Sequence, residues 1–340
     1  MLQRSVDTFR YLATDPLRSV RAGQTPHAII HRDGPANLRY FAPTVPATAS
    51  GSTPAATLAP VFVSMPLINT WTIFDLVPGH SVIAALTAAG VPVYVLDWGR
   101  PGPEASATTL SRLIDGTLRR AVDRACRHAS VAMMDAIGYC VGGTFLAAHL
   151  ARHPGRIRRV AFLATPIDFH ASGRLALWAK PDTFPVDDIV DGLGNFPASL
   201  MKTSFQWLRP TGQTGKWVGL WERIDEPGFP ELWAALEKWN GDAVDFPGEA
   251  YREYIRRCYF DNALMAGGWM MAGEPVDLSR ATIPALVLAA SADHIVPAPS
   301  AFGLSSVWGG PVKCRTVRGG HVGVCIGKAL PAVLVEWAGA

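Results

Sequence analysis

The sequence predicts an α/β protein built on a mostly parallel, doubly wound sheet, with a helical insertion over one edge. Three observations point to it. Short apolar runs alternate with helical patterns between residues 60 and 165, and the alternation resumes near residue 284. Val91 to Leu96 is apolar apart from Tyr94, the composition of a parallel strand buried on both faces. Gly138-Tyr139-Cys140-Val141-Gly142-Gly143 lies between the apolar segment Val131 to Ile137, broken only by Asp135, and Thr144 to Leu150, a good helix former. Strand, glycine-flanked residue and helix form the pattern of a nucleophile elbow. In so tight a turn the residues two before and two after the nucleophile have almost no room for side chains, and Gly138 and Gly142 meet that need.

Residues 1 to 24 read as an amphipathic helical segment outside the core. His27 to Arg32 and Asn37 to Phe41 flank Asp33-Gly34-Pro35-Ala36, a hairpin signal. Pro43 to Thr57, rich in Pro, Ala, Ser and Thr, reads as a loop. Pro60 to Ser64 is a short buried strand, Met65 to Thr70 a loop, and Ser81 to Ala89 a helix closed by Gly90. Leu110 to His128 places Leu110, Leu113, Ile114, Leu118, Ala121 and Val122 on one helical face. The elbow follows, then a strand over Arg159 to Ala164. From Pro166 to Arg280 the text turns rich in Trp, Phe, Pro and Gly, with helical segments such as Glu231 to Trp239 and Glu249 to Tyr259. The sheet resumes with Ala285 to Ala290 and Val312 to Val317, and a helix over Lys328 to Trp337 ends the chain. The expected organisation is a core of residues 25–165 and 281–340 with a helical cap of residues 166–280.

With 340 residues, 49% hydrophobic and 17% charged, the chain has the composition of a globular protein with a large core. A net charge of +3 gives no argument for nucleic acid, and the run Arg152 to Arg159 reads as a solvated helix end. Five cysteines with no CxxC pair and no metal-ligand spacing fit reduced thiols. Met1 to Arg21 lacks the apolar stretch of a signal peptide. Ala42 to Phe74 is free of charge, but five prolines argue against a membrane-spanning helix there.

At Cys140 the helix N-terminus and a nearby histidine would both favour a thiolate. Alone, the motif equally fits a buried, inert cysteine. Two further residues stand where partners are needed. Asp293 follows the strand ending at Ala290, and His321 follows the strand ending at Val317. Nucleophile, acid, histidine is the chain order of the α/β-hydrolase fold. His321 would take the thiol proton and Asp293 would orient the imidazole and stabilise its cation. The backbone N–H of Val141, with that of Ile68 or Asn69, would form an oxyanion hole. His294 is the weaker candidate for a catalytic histidine, and Cys325 is expected to pack rather than bind metal.

With these residues in view, the chain resembles the polyhydroxyalkanoate synthases, most closely the catalytic subunit of the two-subunit (class III) type. The stretches that carry the resemblance include Met65-Pro66-Leu67-Ile68-Asn69, Leu96-Asp97-Trp98-Gly99, the elbow, Gly194-Asn195-Phe196-Pro197, Glu237-Lys238-Trp239, Asn262 to Gly267, Ser291 to Pro297 and Gly320 to Val324. The resemblance implies catalytic roles for Cys140, Asp293 and His321, and an acylated cysteine. It implies transfer from 3-hydroxyacyl-coenzyme A to a growing polyester. The thioester is substrate, and no cofactor or metal is implied. It further implies a homodimer, a possible second synthase subunit and a place at cytoplasmic storage granules. The helix Leu110 to His128 lacks the acidic-Tyr pair associated with relatives, and Cys325 stands where an aromatic is expected.

Two rival readings remain open at this level. One is a cysteine-nucleophile polyester depolymerase or thioesterase, in which water resolves the acyl-enzyme. The other is a granule-bound protein without activity. The long insertion favours a covered, water-poor site and hence transfer. Asp293 has two possible roles, orienting His321 or removing the proton of the attacking 3-hydroxyl. Orientation is the default on acidity, although the expectation leans towards a selective loss of elongation in Asp293→Asn.

Overall fold

The computed structural model describes residues 1–44 and 58–339; most of the expected loop Pro43 to Thr57 lies outside them. Eight strands form one sheet: β1 (Ala28–Asp33), β2 (Ala36–Phe41), β3 (Val61–Ser64), β4 (Val93–Asp97), β5 (Met134–Tyr139), β6 (Ile157–Leu163), β7 (Ala285–Ala290) and β8 (Val312–Val317). Their spatial order is β1-β2-β4-β3-β5-β6-β7-β8. The hairpin β1–β2 and the pair β2–β4 are antiparallel, and every pair from β4 to β8 is parallel. β3, β5 and β7 are buried along their whole length, which is why they read as continuous apolar runs rather than alternating ones.

Parallel strands put their carboxyl ends on one edge. Ser64 lies opposite Gly138, and Tyr139 opposite Leu163. That edge carries Cys140 after β5, Asp293 after β7 and His321 after β8. Helix α1 (Leu2–Ala13) packs on the insertion, not the sheet: the Tyr11 hydroxyl donates to the Pro230 carbonyl at 2.7 Å. α2 (Val82–Ala88) is capped by Ser81, whose side chain accepts from the Ala84 N–H. The amphipathic pattern from Leu110 forms as a π-helical segment, Arg112–Leu118, that runs into α3 (Arg119–Ala129). The elbow helix α4 (Val141–Arg152) is buried over all but its last residue.

The insertion contains α5 (Arg174–Trp178), α6 (Val186–Leu193), α7 (Ala198–Leu208), α8 (Thr211–Glu222), α9 (Phe229–Gly241) and α10 (Gly248–Tyr254). α10 continues as a second π-helical segment, Ile255–Phe260. α11 (Ala329–Gly339) closes the chain.

Two expectations need correction. The elbow strand begins at Met134, not Val131, because Val131 to Met133 serve the turn after α3, where the Val131 N–H donates to the Cys126 carbonyl. The arginine run after α4 is not simply solvated. Arg152 is almost buried against Asp115, and Arg158 and Arg159 both hold Asp135, which is fully buried on β5. A buried carboxylate in a strand demands such partners.

Candidate active site

Cys140 has φ 52° and ψ −136°, a conformation that costs a non-glycine residue free energy and persists only when its surroundings enforce it. The surroundings are the two glycines. A Cβ on Gly138 would lie 2.5 Å from the Gly143 Cα, and one on Gly142 would lie 2.3 Å from the Met65 carbonyl oxygen. The close approach is locked by the Ser64 hydroxyl, which donates to the Gly142 carbonyl at 2.8 Å. The turn thus delivers Cys140 at the first turn of α4, buried but lining two cavities.

His321 and Asp293 arrive as the sequence predicts. His321 Nδ1 is 2.7 Å from Asp293 Oδ2, and the two side chains are 8% and 0% exposed. The other Asp293 oxygen accepts the backbone N–H groups of Ile295 and Val296, each at 2.8 Å. Tyr139 stacks on the imidazole at 5.5 Å, and its hydroxyl donates to the His321 carbonyl. Burial by itself lowers the His321 pKa. The charges of Cys140 and Asp293, with hydrogen bonds to both, outweigh it and push the value up to about 10.

The loop after β3 is held at three carbonyls. Trp98 Nε1 donates to Met65, the Val244 N–H to Ile68, and Trp239 Nε1 to Thr70, at 2.7, 2.9 and 2.9 Å. Ile68 and Asn69 line the space beside Cys140. Val141 opens α4, where the first N–H groups have no intrahelical acceptor.

Two cavities meet at Cys140, sharing Ile68, Met201, Phe205 and Ile295. The first, about 360 Å³, is the more polar of the two, with Lys202, Arg209 and the ion pair of Lys216 with Glu237 on its walls. The second, about 400 Å³, is aromatic, with Trp178, Phe184, Phe196, Phe246 and Tyr259 among its walls. Both also take residues from the insertion, so the helices of the cap lie over the sulfur. His294 is exposed and stays outside the site; Cys325 is buried against Tyr139. Sequence reasoning missed the cations of the first cavity and the tyrosines of the second, because both come from cap helices with no fixed spacing to the elbow.

A strained elbow cysteine at the carboxyl edge of a parallel sheet, followed in the chain by an aspartate and a histidine, defines an α/β-hydrolase-fold protein. The family model described as alpha/beta hydrolase fold matches residues 73–314. Among solved structures the chain is similar to a hydrolase from Pseudomonas aeruginosa (TM-score 0.55, 20% identity, 94% of this chain and all of that one). It is also similar to a thioesterase domain from the curacin biosynthetic pathway (TM-score 0.52, 11% identity, 93% and 99% covered). Both likenesses speak to the fold alone. The poly(3-hydroxyalkanoate) polymerase subunit PhaC of Allochromatium vinosum is 33% identical over 279 residues, covering 81% of this chain and 78% of that one. The Thiocystis violacea protein of the same name is 32% identical over 286 residues, covering 83% and 79%. The chain belongs to the poly(3-hydroxyalkanoate) polymerase family and is an acyltransferase-type enzyme. Among the described residues no helix is long and apolar enough to cross a membrane.

Proposed function

We propose that this enzyme is a polyhydroxyalkanoate synthase that converts 3-hydroxyacyl-coenzyme A, with 3-hydroxybutyryl-coenzyme A as the expected substrate, into polyester. The observation that carries the reading is the joining of Cys140, His321 and Asp293 where the more polar cavity meets the aromatic one. Lys202, Arg209 and Lys216 suit the phosphates of coenzyme A, and the aromatic walls suit the acyl chain.

His321 takes the proton of the Cys140 thiol. The thiolate attacks the thioester carbonyl, and the Val141 N–H with that of Ile68 or Asn69 receives the oxyanion. The new C–S bond forms, the coenzyme A sulfur leaves, and His321 supplies its proton. In elongation the 3-hydroxyl of another substrate attacks the acyl-cysteine. His321 takes the hydroxyl proton, the C–O bond forms and the bond to Cys140 breaks. The lengthened chain, now a coenzyme A thioester, acylates Cys140 again and releases coenzyme A. Both oxygens of Asp293 are engaged, one on His321 and one on backbone N–H groups. That engagement supports the orienting role over direct contact with a hydroxyl. The family resemblance adds a homodimeric active form, a second synthase subunit and location at polyester granules to this reading.

The test gives purified protein 3-hydroxybutyryl-coenzyme A and follows free thiol and polymer turbidity. Thiol release with polymer is expected, with an acyl adduct on Cys140 by mass spectrometry and loss of both signals in Cys140→Ala. Thiol without polymer would point to a hydrolase instead. In Asp293→Asn, the first coenzyme A release and later turnover should slow together by about 10³–10⁴-fold, as expected for an orienting carboxylate. Collapse of elongation alone would return the role to proton removal.

A further inference from the structure

The aromatic cavity holds a polar feature the mechanism does not use. Tyr251, Tyr254 and Tyr259 all enter it from α10 and the π-helical segment behind it. In an α-helix, residues five apart point about 140° away from each other. The i→i+5 turn over Ile255–Phe260 brings Tyr254 and Tyr259 onto one face, with ring centroids 5.8 Å apart and the rings edge to face. Tyr251 and Tyr254 are buried, whereas Tyr259 is only partly buried. No protein group among the described residues accepts the Tyr259 proton, and the hydroxyl lines the cavity with Cys140. Next to burial, the Cys140 charge is the largest influence raising the Tyr259 pKa, whereas Tyr251 feels none of it. Ser204, which also lines this cavity, is turned back to the Leu200 carbonyl.

The chemistry of that wall selects its ligand. An apolar surface dotted with tyrosine hydroxyl donors, Tyr259 the least buried of them, suits a chain of CH, CH2 and CH3 groups interrupted by carbonyl acceptors. An aliphatic polyester is such a chain, and a plain alkyl chain offers nothing to those donors. We propose that Tyr259 is a specificity-determining residue whose hydroxyl donates to the ester carbonyl next to the unit on Cys140, so that the site distinguishes an oligoester from an alkyl chain. The inference rests on the synthase reading and names a contact within it.

The experiment compares the acylation of Cys140 by two probes, the coenzyme A thioester of a 3-hydroxybutyrate trimer and a plain alkyl thioester of matching length. The readout is the ratio of their acylation rates, oligoester over alkyl, in rapid-quench mass spectrometry. Tyr259→Phe should lower that ratio about tenfold, the value of one net hydrogen bond. Tyr254→Phe, which removes the hydroxyl next to Tyr259 on the same face, should lower it about threefold and serves where Tyr259→Phe unfolds. A merely structural role would slow both probes alike, so an unchanged ratio in either folded variant overturns the proposal. Failure of wild-type enzyme to acylate Cys140 with either probe overturns it together with the synthase reading.

Discussion

Cys140 and Asp293 together hold the proton of His321. Removing the sulfur removes the leading influence that raises the imidazole. By NMR, His321 should keep its proton to about pH 10 in the wild type and titrate well below that in Cys140→Ala. An unchanged titration would show that Asp293 alone sets it. A second histidine, on the helix that follows Cys140, is held the opposite way. His149 is fully buried, its Nδ1 has no hydrogen-bond partner, and burial, helped by His153, lowers its pKa to about 3. The folded state therefore refuses a proton that the unfolded chain accepts below about 6.5. That contribution to stability is present above 6.5 and is lost as the pH falls towards 3. Denaturant unfolding at pH 7 and pH 5 should differ by about 2 kcal/mol more in the wild type than in His149→Gln. Equal differences would show that His149 is not the group responsible.

At the scale of elements, β5 carries a buried ion-pair site and leads into the elbow cysteine. Asp135, opposite Arg159 in the register with β6, is satisfied by Arg158 and Arg159. Asp135→Ala would take from Arg158 and Arg159 the carboxylate they share and is expected to lower stability by about 3 kcal/mol, read in urea. A loss under 1 kcal/mol would mean that solvent compensates them. The same strand shows what a sequence can reveal. β7 and β8 are legible residue by residue because turn residues bound their runs. β5 is displaced at its start because an apolar run carries no mark of where ladder pairing begins. The elbow is legible because sterics dictate Gly138 and Gly142, and the order of Cys140, Asp293 and His321 follows from the sheet. The π-helical segments are not, since an i→i+5 turn changes hydrogen bonding without a distinctive composition. Tyr259 escapes notice for that reason, and Lys202, Arg209 and Lys216 because only the folded cap gathers them.

For the whole molecule, the division of labour runs between a tightly hydrogen-bonded sheet and a cap whose helices α7 and α8 keep much of their surface in water, Trp207 and Trp217 included. Hydrogen exchange should find residues 198–222 less protected than β5 and β6 by at least about tenfold. Equal protection would describe a fixed cover. Between the two layers lie the cavities that converge on one sulfur atom from different sides. On the synthase reading, a monomer arriving through one and a chain accommodated in the other do not compete for the same space. At each addition the chain leaves Cys140 as a coenzyme A thioester, and growth is processive where it stays in its own cavity until it acylates Cys140 again. The mean molar mass of the material is then set by how rarely a chain is released, and the number of chains by how many enzyme molecules have started one.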